Sequence, residues 1–376
     1  MNTKLKTSTT ILCAIILQSA SIAFAENQSA ELFDHSKIVL GPSSCSTTGC
    51  HGGAEERSRQ YSVWSQRDPH SRSYGTLTNA RSARMAEALQ ISNPAQDISC
   101  TTCHAPMHSV PLEFRAKDVH VEDGVSCASC HGAGDDWLRT HTRLDLSHAD
   151  RVAAGMRELR NLYGRANACV ACHQNIDPRL VSVGKHPALI FELDGQTQSQ
   201  TKHWRENPPV NGAQAWFVGQ SVALREMSFA IVHGRSDEAN DQARWAGLHW
   251  LLKETGIANS LSTATDAKST LVASDELARN AADQAWSNEQ IKSVLKRFAA
   301  SHVAFLESST AKIEHARRAE RLVIALDRLF ASLPTNERPA AANLPINNLF
   351  RLAQSSIDFA PTEFAIELQL LEKALE

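Results

Sequence analysis

Eight of the nine cysteines in this 376-residue chain stand in four pairs, and a histidine follows each pair directly. The pairs are Cys45-Ser-Thr-Thr-Gly-Cys50-His51, Cys100-Thr-Thr-Cys103-His104, Cys127-Ala-Ser-Cys130-His131 and Cys169-Val-Ala-Cys172-His173. With 16 histidines in the chain, four such coincidences would arise by chance on the order of a few times in a million. Three of the motifs are C-x-x-C-H, the attachment pattern of c-type haem, in which two thiols add to the porphyrin vinyl groups and the adjacent histidine ligates iron. Zinc ribbons also pair cysteines but need no histidine directly after each pair. The first motif has four intervening residues. By itself it also fits a local Cys45–Cys50 disulfide, and the other three motifs argue for haem there as well.

Four haems between residues 45 and 173 leave too little chain to wrap an ordinary side-chain core around each, so the porphyrins must themselves be the core. A low aromatic content of 6% fits that reading. Residues 26–205 contain fifteen Arg and four Lys. Guanidinium groups pair with haem propionates in bidentate fashion, although compositional drift explains the bias equally well.

Residues 1–25 carry Lys4 and Lys6, an apolar run from Ile11 to Leu17, and Ala23-Phe24-Ala25 before Glu26. This reads as a secretory signal cleaved after Ala25, the run being far shorter than the ~20 residues of a membrane span. An uncleaved anchor and a lipid attached at Cys13 are the weaker alternatives, the second because Thr10-Ile11-Leu12 lacks small residues. The expected product is periplasmic, with no membrane span. Loss of two lysines takes the formal charge from −3 to −5, and four haems would add as many as eight propionate charges. The near-neutral balance and a pI of about 6.6 argue against bulk nucleic-acid binding, and no long like-charge run suggests a polybasic membrane arm.

Twelve histidines remain after the four proximal ones, eight of them at or before residue 203: His35, His70, His108, His120, His141, His148, His186 and His203. A second axial imidazole closes the iron for electron transfer, whereas a vacant position admits a small molecule. His108 follows His104 too closely to reach the far face of the same haem. His70 follows Asp68-Pro69, a cap and first-turn pair that predicts a helix running toward Leu89.

The order of these elements, including Trp64, His70, the Gly124-Val125-Ser126-Cys127-Ala128-Ser129-Cys130-His131-Gly132 block and His141, resembles the tetrahaem cytochrome c-554 family over about residues 40–205. The Asp68-Pro69-His70, Lys185-His186-Pro187 and His203-Trp204 elements are similar to those of multihaem cytochromes that also carry a helical tail. The resemblance implies that His141 ligates the iron of His51, His70 that of His131, and His203 that of His173. It also implies a vacant sixth position at the iron of His104, which His186 could fill, or else His186 exchanges roles with His203. The C-x4-C-H spacing departs from the family pattern.

From about residue 206 there are no cysteines, and the apolar spacing turns helical. Ser287 with Gln290 forms a capping box ahead of Ile291, Val294, Leu295, Phe298 and Phe305, and Leu322, Leu326, Leu329, Phe330 and Leu333 continue to Pro334. Breaks near Gly256, Thr263 and Pro334 predict an antiparallel helical bundle. His249 with Trp245 and Trp250 reads as core rather than as a cofactor box, and His233, His302 and His315 as ordinary helix residues. The expected fold is mainly α, with a signal at 1–25, a haem-packed tetrahaem domain at 26–205 and a bundle at 206–376. The bundle could dock a partner, form an oligomer or cover a haem edge.

The leading functional expectation is a soluble periplasmic electron carrier with four covalently bound haem c. It would pass electrons between a quinol-linked or dehydrogenase donor and a terminal reductase. The rival is an enzyme acting on nitric oxide, hydroxylamine, nitrite or a sulfur oxyanion at a five-coordinate iron near His104. A third reading makes the chain a subunit anchored by its helical half in a larger redox complex.

Overall fold

A computed structural model describes residues 37–206, 208–236 and 238–376. The expected export segment, Cys13 and His35 lie outside them. Among the described residues there are sixteen α-helices and no strand beyond isolated bridges from Val39 to Arg115 and Gly134. The chain is mainly α.

The first nine helices are short: α1 (Gln60–Arg67), α2 (Ser73–Leu77), α3 (Ala80–Leu89), α4 (Ile98–His104), α5 (Cys127–His131), α6 (His148–Ala153), α7 (Leu162–His173), α8 (Pro178–Ser182) and α9 (Leu193–Ser199). Polar caps start several of them, with Asn79, Asp97, Ser147, Asn161 and Asp177 each accepting a hydrogen bond from the first turn. The single helix expected from Asp68 toward Leu89 is instead a 3-10 turn (Pro69–Arg72), α2 and α3, because Asn79 adopts an extended conformation and caps a new helix. Apolar packing here is thin. One cluster joins five buried residues, Val39, Met107, Val110, Ala128 and Ala133.

The remaining helices are α10 (Gly212–Val232), α11 (Glu238–Glu254), α12 (Ala267–Ala282), α13 (Asn288–Ala300), α14 (Lys312–Ser332), α15 (Asn343–Leu352) and α16 (Pro361–Ala374). Every residue of α10 from Ala213 to Ala230 is buried, so this helix is the axis of the bundle rather than an amphipathic surface helix. It packs against α7, α9, α11, α12 and α14. Trp216, Phe217, Trp286 and Phe298 interlock beside it, and Phe305, Phe359 and Phe364 form a second aromatic group. The aromatic side chains are thus concentrated where no cysteine motif lies. Ser287 and Gln290 form the expected capping box, and Leu333 leaves α14 in an extended conformation before Pro334.

The core does not stop at residue 205. Leu162, Ala166 and Val170 of α7, then Phe191 and Leu193, belong to the same buried cluster as the bundle. A polar joint reinforces this packing. Buried Arg225 of α10 donates to Glu226 at 2.7 Å, Asp275 of α12 at 2.8 Å and Asn167 of α7 at 2.6 Å. Tyr163 of α7 donates to the same Asp275 at 2.7 Å. Burial would raise the Asp275 carboxyl, but its bonds to Arg225, Tyr163 and Arg279 hold it below its ordinary value.

Two outcomes follow for stability. Arg225→Met fills the space but leaves buried Glu226 without its cation and takes one of three partners from the partly buried Asp275, so denaturant unfolding should show a loss of about 3–5 kcal/mol; a loss under about 1 kcal/mol would mean the joint is dispensable. Burial pushes the Glu192 carboxyl up to about 7, with Arg321 opposing. Its folded value lies above the ordinary 4.5, so its contribution is complete below pH 4.5 and is lost as pH rises through 7, on the order of 3 kcal/mol. Urea melts at pH 4.5 and 7.5 should therefore show that Glu192→Gln removes this part of the wild-type decline, and parallel curves would refute the assignment.

Candidate functional site

The spacing of three motifs is a helix property. In C-x-x-C-H the cysteines and histidine occupy i, i+3 and i+4, which share one face of a single turn. Cys100, Cys103 and His104 end α4, Cys127, Cys130 and His131 make up α5, and Cys169, Cys172 and His173 end α7. The wider first motif cannot do this. Cys45 ends a 3-10 turn (Pro42–Cys45), and the chain loops back so that the His51 amide donates to the Cys45 carbonyl at 3.1 Å. Asp118 fixes the approach, accepting from the Gly41 and Ser44 amides and from the Ser43 and Ser44 hydroxyls. None of the eight cysteines is in a disulfide, Cys45 and Cys50 included.

Two glycines of the third motif block have positive φ, +64° at Gly124 and +91° at Gly132. At Gly124 a Cβ would also stand 2.5 Å from Ser73 Oγ and 2.8 Å from the His70 carbonyl. The missing side chain lets this segment press against the residues that carry His70.

Eight histidines are brought together as four opposed pairs. His51 faces His141 with ring centroids 6.1 Å apart, His173 faces His70 at 6.2 Å, His131 faces His203 at 6.3 Å, and His104 faces His186 at 6.4 Å. Two imidazoles ligating one iron from opposite sides through nitrogens about 2 Å from the metal have centroids about 6.3 Å apart. Each pair takes one histidine from a cysteine motif and one from elsewhere. Among the described residues no three or more His, Cys, Asp or Glu converge as they would around a bare metal ion. The arrangement is one of pairs across a gap.

Two pairings differ from those the resemblance implies. His70 stands opposite His173 rather than His131, and His203 opposite His131 rather than His173. The reason lies in tethers remote in sequence. Asp68 holds His70, and Gln200 reaches back to the same carboxylate at 3.4 Å. Beyond it, Trp204 packs edge-on against His203 at 5.2 Å and donates to Glu206, which Arg165 of α7 grips with two nitrogens at 2.7 and 3.2 Å. Residues 200–206 are thereby carried past α7 toward α5.

Most of these rings are oriented through Nδ1, which leaves Nε2 as the available nitrogen. Partners of Nδ1 are Gln60 for His51 at 3.0 Å, Asp68 for His70 at 2.9 Å, Thr76 for His104 at 2.9 Å, Trp137 O for His141 at 3.3 Å and Pro187 O for His186 at 2.8 Å. Gln196 stands 3.2 Å from His173 Nδ1, and turning its amide would give its unbonded Oε1 that donor. His203 Nδ1 is buried without a well-formed bond. Ser73 Oγ is a hub, 2.8 Å from the carbonyls of both His70 and His104, and accepts from the Val125 amide at 3.0 Å. Gln60, Ser73, Thr76 and Gln196 were not singled out from the sequence; no local pattern marks them.

Electrostatics suit ligation by neutral imidazole. Burial lowers the values of His104, His173 and His203 and takes His131 down to about 4. Burial likewise pushes the Cys169 thiol up to about 12, so it stays a thiol unless its sulfur is bonded.

Other histidines are engaged differently. His148 pairs with Glu158 at 2.7 Å, His233 with the Phe229 carbonyl, and His315 with the Glu307 carbonyl. His249 bonds the Ala264 carbonyl and stacks on Trp245, an ordinary helix residue. His302 lies 3.4 Å from Glu372. His108 and His120 join none of the pairs.

The thiols also place the motifs relative to one another. Cys45 lies within hydrogen-bonding reach of Cys127, and Cys103 of Cys172, while Cys130 and Cys169 are close enough to act on each other electrostatically. In space the motifs therefore run first, third, fourth, second. No described helix is long and apolar enough to cross a membrane.

No curated protein and no solved structure matches the chain. Residues 44–132 match the family model described as cytochrome c554 and c-prime, a stretch that holds the first three motifs and His70. That match supports a c-type cytochrome with covalently bound haem c.

Proposed function

We propose that the chain is an exported tetrahaem electron carrier, its haems bonded to Cys45/Cys50, Cys100/Cys103, Cys127/Cys130 and Cys169/Cys172. Their irons are held by His51 and His141, His104 and His186, His131 and His203, and His173 and His70. The observation that carries this reading is the set of four imidazole pairs at 6.1–6.4 Å. Two nitrogen ligands per iron give low-spin, closed centres, with potentials below those of His/Met haems because a thioether raises the potential. Such a protein moves electrons and does not bind substrate at iron. Its partners would be a quinol-linked or dehydrogenase donor and a terminal reductase, reached in the periplasm after cleavage following Ala25. Residues 26–205 would carry the haems, and residues 206–376 would wall one side of them.

One pair favours a second reading. His186 is presented by a loop in which Lys185, not a glycine, has φ +59°, a strained conformation for a side-chain-bearing residue. If that loop releases His186, the iron of His104 opens, and reaction with nitric oxide, hydroxylamine or nitrite becomes available there.

Mass measurement of the mature protein should show four haems on the chain; three would remove the first motif from the scheme. The ferric protein should be wholly low-spin by electron paramagnetic resonance, and the ferrous protein inert to carbon monoxide. Carbon monoxide binding at one haem in four would turn the assignment toward the enzyme.

Pairing is tested separately. His70→Gly and His203→Gly should each produce one high-spin haem. Adding Cys169→Ser and Cys172→Ser removes the fourth haem, and should abolish the high-spin signal of His70→Gly but leave that of His203→Gly. The reverse pattern would restore the alternative pairing.

A further inference from the structure

Between the loop after His173 and the first turns of α11 lies a cavity of about 90 Å³, roomy beside the ~10–15 Å³ that one water requires. Arg235, Arg244 and Arg321 line it, against a single carboxylate, Asp241. Arg321 is 7% exposed and is fixed by Glu192 at 3.3 Å and Gln220 at 3.4 Å. Arg244 is half-buried, and its guanidinium makes no hydrogen bond or ion pair with a described residue; Asp241 and Glu320 act on it only through their charge, and Arg317 opposes them. Met227, Ala230 and Ile231 supply an apolar wall.

Burial strips water from Arg244 and Arg321, whose like charges repel, and the unpaired Arg244 has lost hydration without replacement. A carboxylate between them would repair both defects through charge-assisted, bidentate bonds. We propose that this cavity binds a carboxylate. Two sources share that chemistry: a propionate of the haem attached at Cys169 and Cys172, since Gln174 in the cavity wall directly follows His173, and a free small carboxylic acid. The first source rests on the haem assignment above; the second does not.

The test uses the haem-loaded full chain and its Arg244→Gln and Arg235→Gln variants, whose altered side chains are not buried. Succinate is titrated calorimetrically at low ionic strength, and the haem potentials are measured by redox titration. If the ligand is free, succinate binds the wild type and Arg244→Gln weakens it about tenfold, with a smaller loss in Arg235→Gln. If a propionate fills the cavity, succinate does not bind, and Arg244→Gln lowers the midpoint potential of one haem because a positive charge has left its carboxylate. Succinate binding equally to all three proteins, or absent from all three with superimposable redox titrations, overturns the proposal. Haem count and spin state, read on the same samples, report failure of the haem assignment independently.

Discussion

Two imidazoles held about 6 Å apart gain nothing directly from one another. Burial lowers the values of His104, His131, His173 and His203, and most of the eight rings have only Nδ1 bonded. Four such gaps lie in a region whose only apolar cluster apart from the bundle's, among the described residues, has five buried residues, so a group that filled the gaps would also serve as core. A flat apolar macrocycle with a metal at its centre would meet both needs, the two free nitrogens holding the metal and the surrounding side chains packing on the ring. Ser73, Asp68, Gln60 and Thr76 then act by orientation, since a ligand nitrogen turned away from the gap would be useless.

The bundle has a structural part in this arrangement. The helix of the fourth motif is built into the bundle core by Leu162, Ala166 and Val170 and locked by Arg225 through Asn167. A helix of this length is marginal alone, and its last turn must hold two thiols and an imidazole in one geometry. α10, buried along its length, supplies the rigid surface it needs. The boundary expected near residue 205 separates the part of the chain with cysteine motifs from the part without them. It does not mark an end of packing.

What was legible in the sequence was local. The C-x-x-C-H turns, the Ser287–Gln290 box and the stop at Pro334 are each set by neighbours within six residues, so pattern suffices to find them. The eight histidines of the pairs were also recognisable as a set. Which of His70 and His203 faces which motif was not, because the choice depends on the Gln200–Asp68 and Arg165–Glu206–Trp204 tethers, contacts 41 to 132 residues apart for Arg165–Glu206 and Gln200–Asp68. The arginines of the cavity were equally invisible. Arg235 lies in the connection between α10 and α11, Arg244 in α11 and Arg321 in α14, with nothing in common but their destination.

The exchanged pairing bears on how the proposed carrier would conduct. The motifs of His131 and His173 are the inner two of the spatial series, close enough for Cys130 and Cys169 to act on each other electrostatically, and their partners His203 and His70 come from segments that Gln200 and Asp68 tie together. The two inner histidine pairs therefore share supports on both sides. The outer two, at His51 and His104, end the series, with Cys50 exposed at one end and His186 on its strained loop at the other. Rigidity in the middle with access at the ends is the arrangement a linear relay requires: transfer between fixed neighbours inside, and exchange with partners only at the termini.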